Sequence, residues 1–278
     1  MQRMLVGVDG SAAAHNALVW SADVAHRDRF DLVVARVFEP TEAELSPEID
    51  TKLHAEQRVE LEGWCENVDA GGSITPLLLD GGPPEALLAA AVECDADLIV
   101  VGGGAVKLGH LDASSVSDQL VHTSTLPLAV VPTTGAAPPG TIVLAVDGSP
   151  ESLAAADFVA DLAARLAVGV TAVFAFEPFV ELVPETDPNS WRHEAERGVR
   201  RWVAPIEQAG VAVDLDIERD VHPVAAIRRT LDAHPDSVAC LGARRLSDVT
   251  GLRLGRIPLH LLDRKTEVVI LVPRQAEE

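Results

Sequence analysis

A chain of 278 residues with 47% hydrophobic residues and a formal net charge of −21 has the composition of a globular protein, long enough for two domains with separate cores. The acid excess argues against nucleic acid as a partner, because a phosphate backbone is held by basic faces. The longest nearly apolar run, Leu166 to Phe176, is far short of a bilayer span, so no membrane partner is expected.

In chain order, Met4–Val8 reads as a buried parallel strand, with Asp9 at its carboxyl end and a Gly10-Ser11 turn behind it. Ser11 is placed to cap a helix running to about Arg27, with Trp20, Leu18 and Val24 on its core side. The apolar start is interrupted by Asp9, which predicts no secretory signal. Leu32–Phe38 is the second strand, and a long helix is expected from Glu48 to Asn67. Ile74–Leu79, helix Glu85–Glu93, strand Leu98–Val101, helix Ser114–His122 and strand Leu128–Val131 complete the first half. Cys65, Cys94 and Cys240 show no metal-ligand or redox spacing, which fits a reducing cytoplasm as the expected location.

The chain then repeats itself. Leu5-Val6-Gly7-Val8-Asp9-Gly10-Ser11 returns as Val143-Leu144-Ala145-Val146-Asp147-Gly148-Ser149, 138 positions on (147 against 9). Phe38-Glu39-Pro40 returns as Phe176-Glu177-Pro178, Val101-Gly102 as Leu241-Gly242, and Val131-Pro132 as Val272-Pro273. A period this long is a duplicated domain, not a solenoid repeat. The Pro-, Gly- and Ala-rich stretch after Thr133 reads as a linker. The expected division is a first domain over 1–133, a linker over 134–140 and a second domain over 141–278. In the second half, strands are expected at Ile142–Val146, Val170–Phe176, Val211–Ile217, Val238–Leu241 and Val268–Val272. Helices are expected at Glu151–Ala167, Ser190–Gln208 with a break or kink at Pro205, Val224–Asp232 and Arg256–Asp263. Alternating continuous apolar strands and helices predict an α/β fold, a five-stranded parallel sheet in each half with helices on both faces.

Ligands of such sheets bind beyond the carboxyl ends of the strands. That places Asp9 and Asp147 where a ligand would be met, and a glycine at the end of strand four lets a backbone come close. A small residue at the start of the next helix exposes amides at the positive end of its dipole, which suits a phosphate.

These features together resemble the universal stress protein family, in a tandem two-domain form. They are two strand–Asp-Gly-Ser units, a Gly82-Pro83 or His222-Pro223 turn before the third helix, and Gly-rich loops after strand four closed by Ser114-Ser115-Val116-Ser117 in the first half. The resemblance covers essentially the whole chain. It implies two tandem domains of adenine-nucleotide-hydrolase-like, Rossmann-like type, related by a pseudo-two-fold axis, and self-association through the strand-five surfaces Leu128–Val131 and Val268–Val272. It also implies ATP or a related adenine nucleotide as ligand, held by a motif of Gly, two residues, Gly, nine residues, then Gly with Ser or Thr. Carried over, the nucleotide-binding positions are Gly7, Asp9, Val37, Gly102, Ser114 and Ser115 in the first half. In the second half they are Asp147, Ala175, Gly242, Arg245, Gly255 and Arg256.

Neither half carries the motif in full. Arg245 holds the middle glycine position and Arg256 the Ser/Thr position, although Gly242 and Gly255 keep the spacing of 13. In the first half Ser114 replaces the last glycine, Ala105 stands at the middle position, and the loop is one residue short (114 − 102 = 12). With one cation, Lys107, that loop is expected to hold a nucleotide weakly. Arg244, Arg245, Arg253 and Arg256 admit two readings. They form a guanidinium cradle for phosphate, or they fill the pocket and pair with Asp147, Glu177 or Asp248. No nucleophile–base set, Gly-Lys-Ser/Thr loop or metal-ligand cluster is recognisable. The resemblance implies a non-enzymatic stress-response regulator that binds ATP or a related adenine nucleotide. The alternative is an interaction scaffold with decayed sites, and a slow ATPase ranks last.

Overall fold

The computed structural model describes residues 1–38, 47–103, 115–133, 136, 138–176, 190–243, 256–262 and 267–274. Two compact units divide the chain, Met1–Ala136 and Ala137–Glu278.

The first unit contains β1 (Arg3–Val8), α1 (Ala12–Asp28), β2 (Asp31–Phe38), α2 (Pro47–Glu66) and β3 (Ile74–Asp80). These are followed by α3 (Pro83–Glu93), β4 (Leu98–Gly102), α4 (Val116–Thr123) and β5 (Leu128–Val131). Its strands pair in parallel in the order β3-β2-β1-β4-β5. The central strands are apolar throughout because both of their faces are covered. Met4, Leu5, Leu32, Leu98 and Ile99 have no exposed surface. Trp20, at 1% exposure, anchors α1 in this core. Proline within an outer strand forgoes a ladder bond and discourages further pairing, which suits Pro76 in the middle of β3.

Successive side chains of β2 show how the layers are arranged. Ala35 and Val37 face Pro83 and Leu87 of α3, whereas Arg36 reaches Glu60 of α2 at 2.8 Å on the other face. The helices start where short polar groups can accept their first amides: Ser11 Oγ accepts from Ala14 N at 3.2 Å, and Ser115 Oγ from Asp118 N at 3.2 Å.

The second unit runs β6 (Thr141–Ala145), α5 (Pro150–Leu166), β7 (Gly169–Phe176), α6 (Ser190–Trp202), α7 (Ala204–Gln208) and β8 (Val213–Arg219). It ends with α8 (Pro223–Ala233), β9 (Ser237–Ala243), α9 (Arg256–Leu262) and β10 (Val269–Pro273). The parallel order is β8-β7-β6-β9-β10, the first unit's order repeated.

Several boundaries move from the sequence expectation. The helix expected over 190–208 breaks at Val203, where Pro205 cannot supply an amide to the preceding turn, and α7 starts afresh. Strand β8 begins at Val213 rather than Val211 and continues to Arg219. Helices α3 and α8 begin on Pro83 and Pro223, since proline fits a first turn whose amides have no partners in the helix.

Candidate functional site

At the carboxyl ends of the first unit's strands lies a cleft of about 90 Å³. Its floor is Gly7 and Val8 of β1, Ala35 and Val37 of β2, and Val101 and Gly102 of β4. Its rim is Asp9, Ser11 and Ala14 on one side, and Pro83, Leu87, Val116 and Ser117 on the other. Thus Gly7, Asp9, Val37 and Gly102 meet in one cleft. Ser115 is the residue that caps α4, and the two residues after it reach the cleft. Ser114 lies outside the described residues.

The Asp-Gly-Ser turn is built from the backbone outward. Gly10 sits at φ 86°, a conformation that favours glycine. The Ser11 amide donates to Asp9 Oδ1 at 2.9 Å, which fixes the exposed carboxylate at the cleft mouth. Among the described lining residues, Asp9 is the only ionisable one.

Gly102 has a packing duty of its own. A Cβ there would stand 2.5 Å from the carbonyl carbon of Ala13 and 2.7 Å from the Ala14 nitrogen. Gly242 repeats this, with the Glu151 carbonyl carbon at 2.3 Å and the Ser152 nitrogen at 2.6 Å. Both glycines let the first turn of a helix that follows the neighbouring strand, α1 after β1 and α5 after β6, lie directly on their own strand.

In the second unit, Asp147 follows β6 and accepts from the Ser149 amide at 2.9 Å, Ala175 lies near the end of β7, and Gly242 near the end of β9. Arg245 and Gly255 lie outside the described residues. Arg256 opens α9.

Sequence reasoning passed over one residue. Trp202 packs under the second turn: a Cβ on Gly148 would meet its Cζ2 at 2.5 Å, and its ring meets Phe174 edge-on at 5.4 Å between centroids. The signal was present, since Trp64 stands 138 positions earlier, at the spacing of the repeated turn (202 against 64). Trp64 meets His15 instead, at 5.8 Å.

The cysteines stand apart from this chemistry. Burial pushes the Cys65 thiol up to about 11, with the Glu62 carboxylate adding to the effect. Burial likewise raises Cys94 and Cys240. All three therefore stay thiols at neutral pH. Among the described residues, no group of three or more His, Cys, Asp or Glu side chains could hold a metal ion. No described helix is long and apolar enough to cross a membrane.

A universal stress protein of Mycobacterium tuberculosis is 26% identical over 294 aligned positions, covering 98% of this chain and 97% of the relative. A universal stress protein of Archaeoglobus fulgidus has a similar solved structure, with TM-score 0.72, 19% identity and 98% of each chain covered. A protein of Pseudomonas aeruginosa described as a putative universal stress protein superposes with TM-score 0.58 and 16% identity over 99% of this chain and 94% of that one. The profile of the Universal stress protein family matches residues 1–132 and again 139–273. Two α/β units with one strand order, matched in turn by one profile, identify the chain as a member of the universal stress protein family.

Proposed function

We propose that this protein is a non-enzymatic, nucleotide-responsive regulator, and that its first unit binds ATP or a related adenine nucleotide in the cleft at the strand ends. The observation that carries this reading is the convergence of Gly7, Asp9, Val37 and Gly102, drawn from three strands, on one cleft. At about 90 Å³ the described cleft is well below the ~300–1,000 Å³ that encloses a whole small molecule. It suits one part of a nucleotide, the base or the sugar. The phosphates would then extend toward the first turn of α4, where the helix dipole favours negative charge. Asp9, already an acceptor for its own turn, is fitted to orient a ribose hydroxyl rather than to activate water.

The second unit supports the scaffold reading for its own half. Ala145 stands where the first unit has Gly7, and a methyl at Gly7 would press on Leu87 and Val101 at 3.1 and 3.3 Å. Calorimetric titration of the whole chain with ATP, ADP, AMP and cyclic AMP tests both halves. Asp9→Ala is expected to weaken binding about tenfold, equivalent to about 1.4 kcal/mol, while Asp147→Ala leaves affinity unchanged. A loss confined to Asp147→Ala would move the site to the second unit. No binding by the parent chain would leave the scaffold as the function, and steady phosphate release would make it an ATPase.

A further inference from the structure

Strand β8 carries Asp214, Asp216 and Glu218 at alternate positions, so the three side chains leave one face of the sheet. Register sets them beside Thr171, Val173 and Ala175 of β7. Helix α8 covers that face: Thr230 Oγ1 donates to Asp216 Oδ2 at 2.7 Å, and Arg229 pairs with Glu218. These groups and His234 border an open cleft of about 490 Å³. In the first unit the same register positions of β3 hold Thr75, Leu77 and Leu79, beside Val33, Ala35 and Val37 of β2. One unit has a seam that is apolar apart from Thr75 where the other has a polar cleft.

Charge on an outer strand is a common guard against unwanted pairing, which accounts for acids on β8 but not for a threonine on the strand inside it. Thr171 is only 8% exposed and lines the cleft, and its hydroxyl, open to the cleft, makes no side-chain hydrogen bond among the described residues. Valine stands at the matching place, Val33, so the first unit carries no hydroxyl there. The cleft offers three acceptors beside His234: the Asp214 carboxylate, the Asp216 oxygen that Thr230 does not use, and the Thr171 oxygen. The cleft's permanent cation, Arg229, is already turned to Glu218.

Side chains at alternate strand positions are spaced by about 7 Å, too far apart to close on one ion. The ligand that matches is extended, cationic and rich in N–H donors. We propose that this cleft binds an aliphatic polyamine, with successive ammonium groups on Asp214 and Asp216 and an N–H directed to Thr171. The site is independent of the nucleotide reading, because it lies in the other unit and uses none of the cleft residues around Asp9.

Spermidine is the probe, titrated into the full chain at low ionic strength and followed by calorimetry and by backbone amide shifts. Saturable binding of one molecule is expected, with shifts at Thr171 and His234. Asp214→Asn together with Asp216→Asn should weaken it about tenfold or more, and Thr171→Val, which leaves every charge in place, about threefold. Glu62→Gln with Glu66→Gln, which removes the same charge from exposed positions of α2, should change affinity less than about twofold. An equal loss in that control would reduce the effect to bulk attraction by an acidic surface and overturn the site. Binding that does not saturate, indifference to the Asp214 and Asp216 changes, or a tighter hold on Mg²⁺ than on spermidine at these carboxylates would do the same. Asp214 is exposed, so Asp214→Asn alone, with about half the expected effect in free energy, answers the question if the double variant does not fold.

Discussion

The two Asp-Gly-Ser turns share a backbone but rest on different supports. Beneath the first, Arg36 of β2 spans to Glu60 of α2, and its guanidinium lies 3.9 Å from where a Cβ of Gly10 would be. Beneath the second, the repeat places Phe174 at the arginine's position and Gly198 at the glutamate's, and the Trp202 ring occupies the space. The two substitutions and the new place of the shared tryptophan belong together. Without a bulky residue at 198 the indole reaches under Gly148, and Phe174 gives it an edge to pack against. An ion pair whose carboxylate partner is 50% exposed is worth little by itself, whereas a packed indole removes a large apolar area from water. The second turn is held by burial and the first by a pair that water can loosen. The sequence identity of the turns therefore does not imply equal stiffness.

The largest effect is expected where the units agree. Gly102→Ala and Gly242→Ala each force a methyl against helix backbone, which cannot rotate away, and each should cost about 3 kcal/mol or more in denaturant unfolding. Near-equal losses would mark both glycines as packing residues. If Gly102→Ala kept full stability and lost only nucleotide affinity, the glycine would belong to the ligand and the parallel between the units would break.

The next effect separates them. Trp202→Ala should destabilise by about 2–4 kcal/mol, and Trp64→Ala, whose ring meets His15 of α1, by about 1 kcal/mol. Hydrogen exchange should show the amides of 147–149 opening faster in Trp202→Ala, while those of 9–11 are unaffected by Trp64→Ala. Equal exchange at both turns would remove the difference in support.

How much of this was legible in the sequence depends on whether a feature is local. Strand runs, the capping Ser11 and Ser149, and the repeated Asp9 and Asp147 are read directly, because periodicity and caps act within a few residues. Gly102 and Gly242 were legible as necessary glycines, but the obstacle, the carbonyl of a helix about 90 residues away in sequence, is tertiary. The chain's resemblance to a family pointed to a ligand, and geometry adds the packing reason. The support under Gly148 needed three residues from two elements, Phe174 of β7 with Gly198 and Trp202 of α6, to be compared with their counterparts, and a single position such as Phe174 carries no mark of it. The β8 acids looked like an ordinary solvated strand, since only register brings buried Thr171 beside them.

The smallest expected effect is electrostatic and lies at the opposite end of the strands. Ser73 donates to Asp31 through its hydroxyl and, at 3.2 Å, through its amide, while Arg3 stands 3.8 Å away. Those hydrogen bonds, and then the arginine, hold the Asp31 carboxyl below its ordinary value. The second unit has Gly169 at the position of Asp31, and Thr141, at the position of Arg3, donates its hydroxyl to the Gly169 carbonyl at 3.1 Å. A carboxyl whose folded pKa is depressed stabilises fully above its unfolded value, about 3.9, and that contribution disappears as pH falls through the lower folded value. Asp31 therefore adds acid sensitivity below about pH 4 to the first unit, with no counterpart at Gly169. Its side chain is 42% exposed, so solvent screening keeps the contribution under about 1 kcal/mol. Asp31→Asn should lower stability slightly at pH 7 and flatten the acid limb of stability against pH, so that parent and variant converge near pH 3. The change should appear in exchange of the β1–β3 amides and leave those of β6–β8 as they were. Parallel curves that never converge would show that Asp31 acts through packing rather than charge, and equal responses in both sets of strands would show that acid opens the units together.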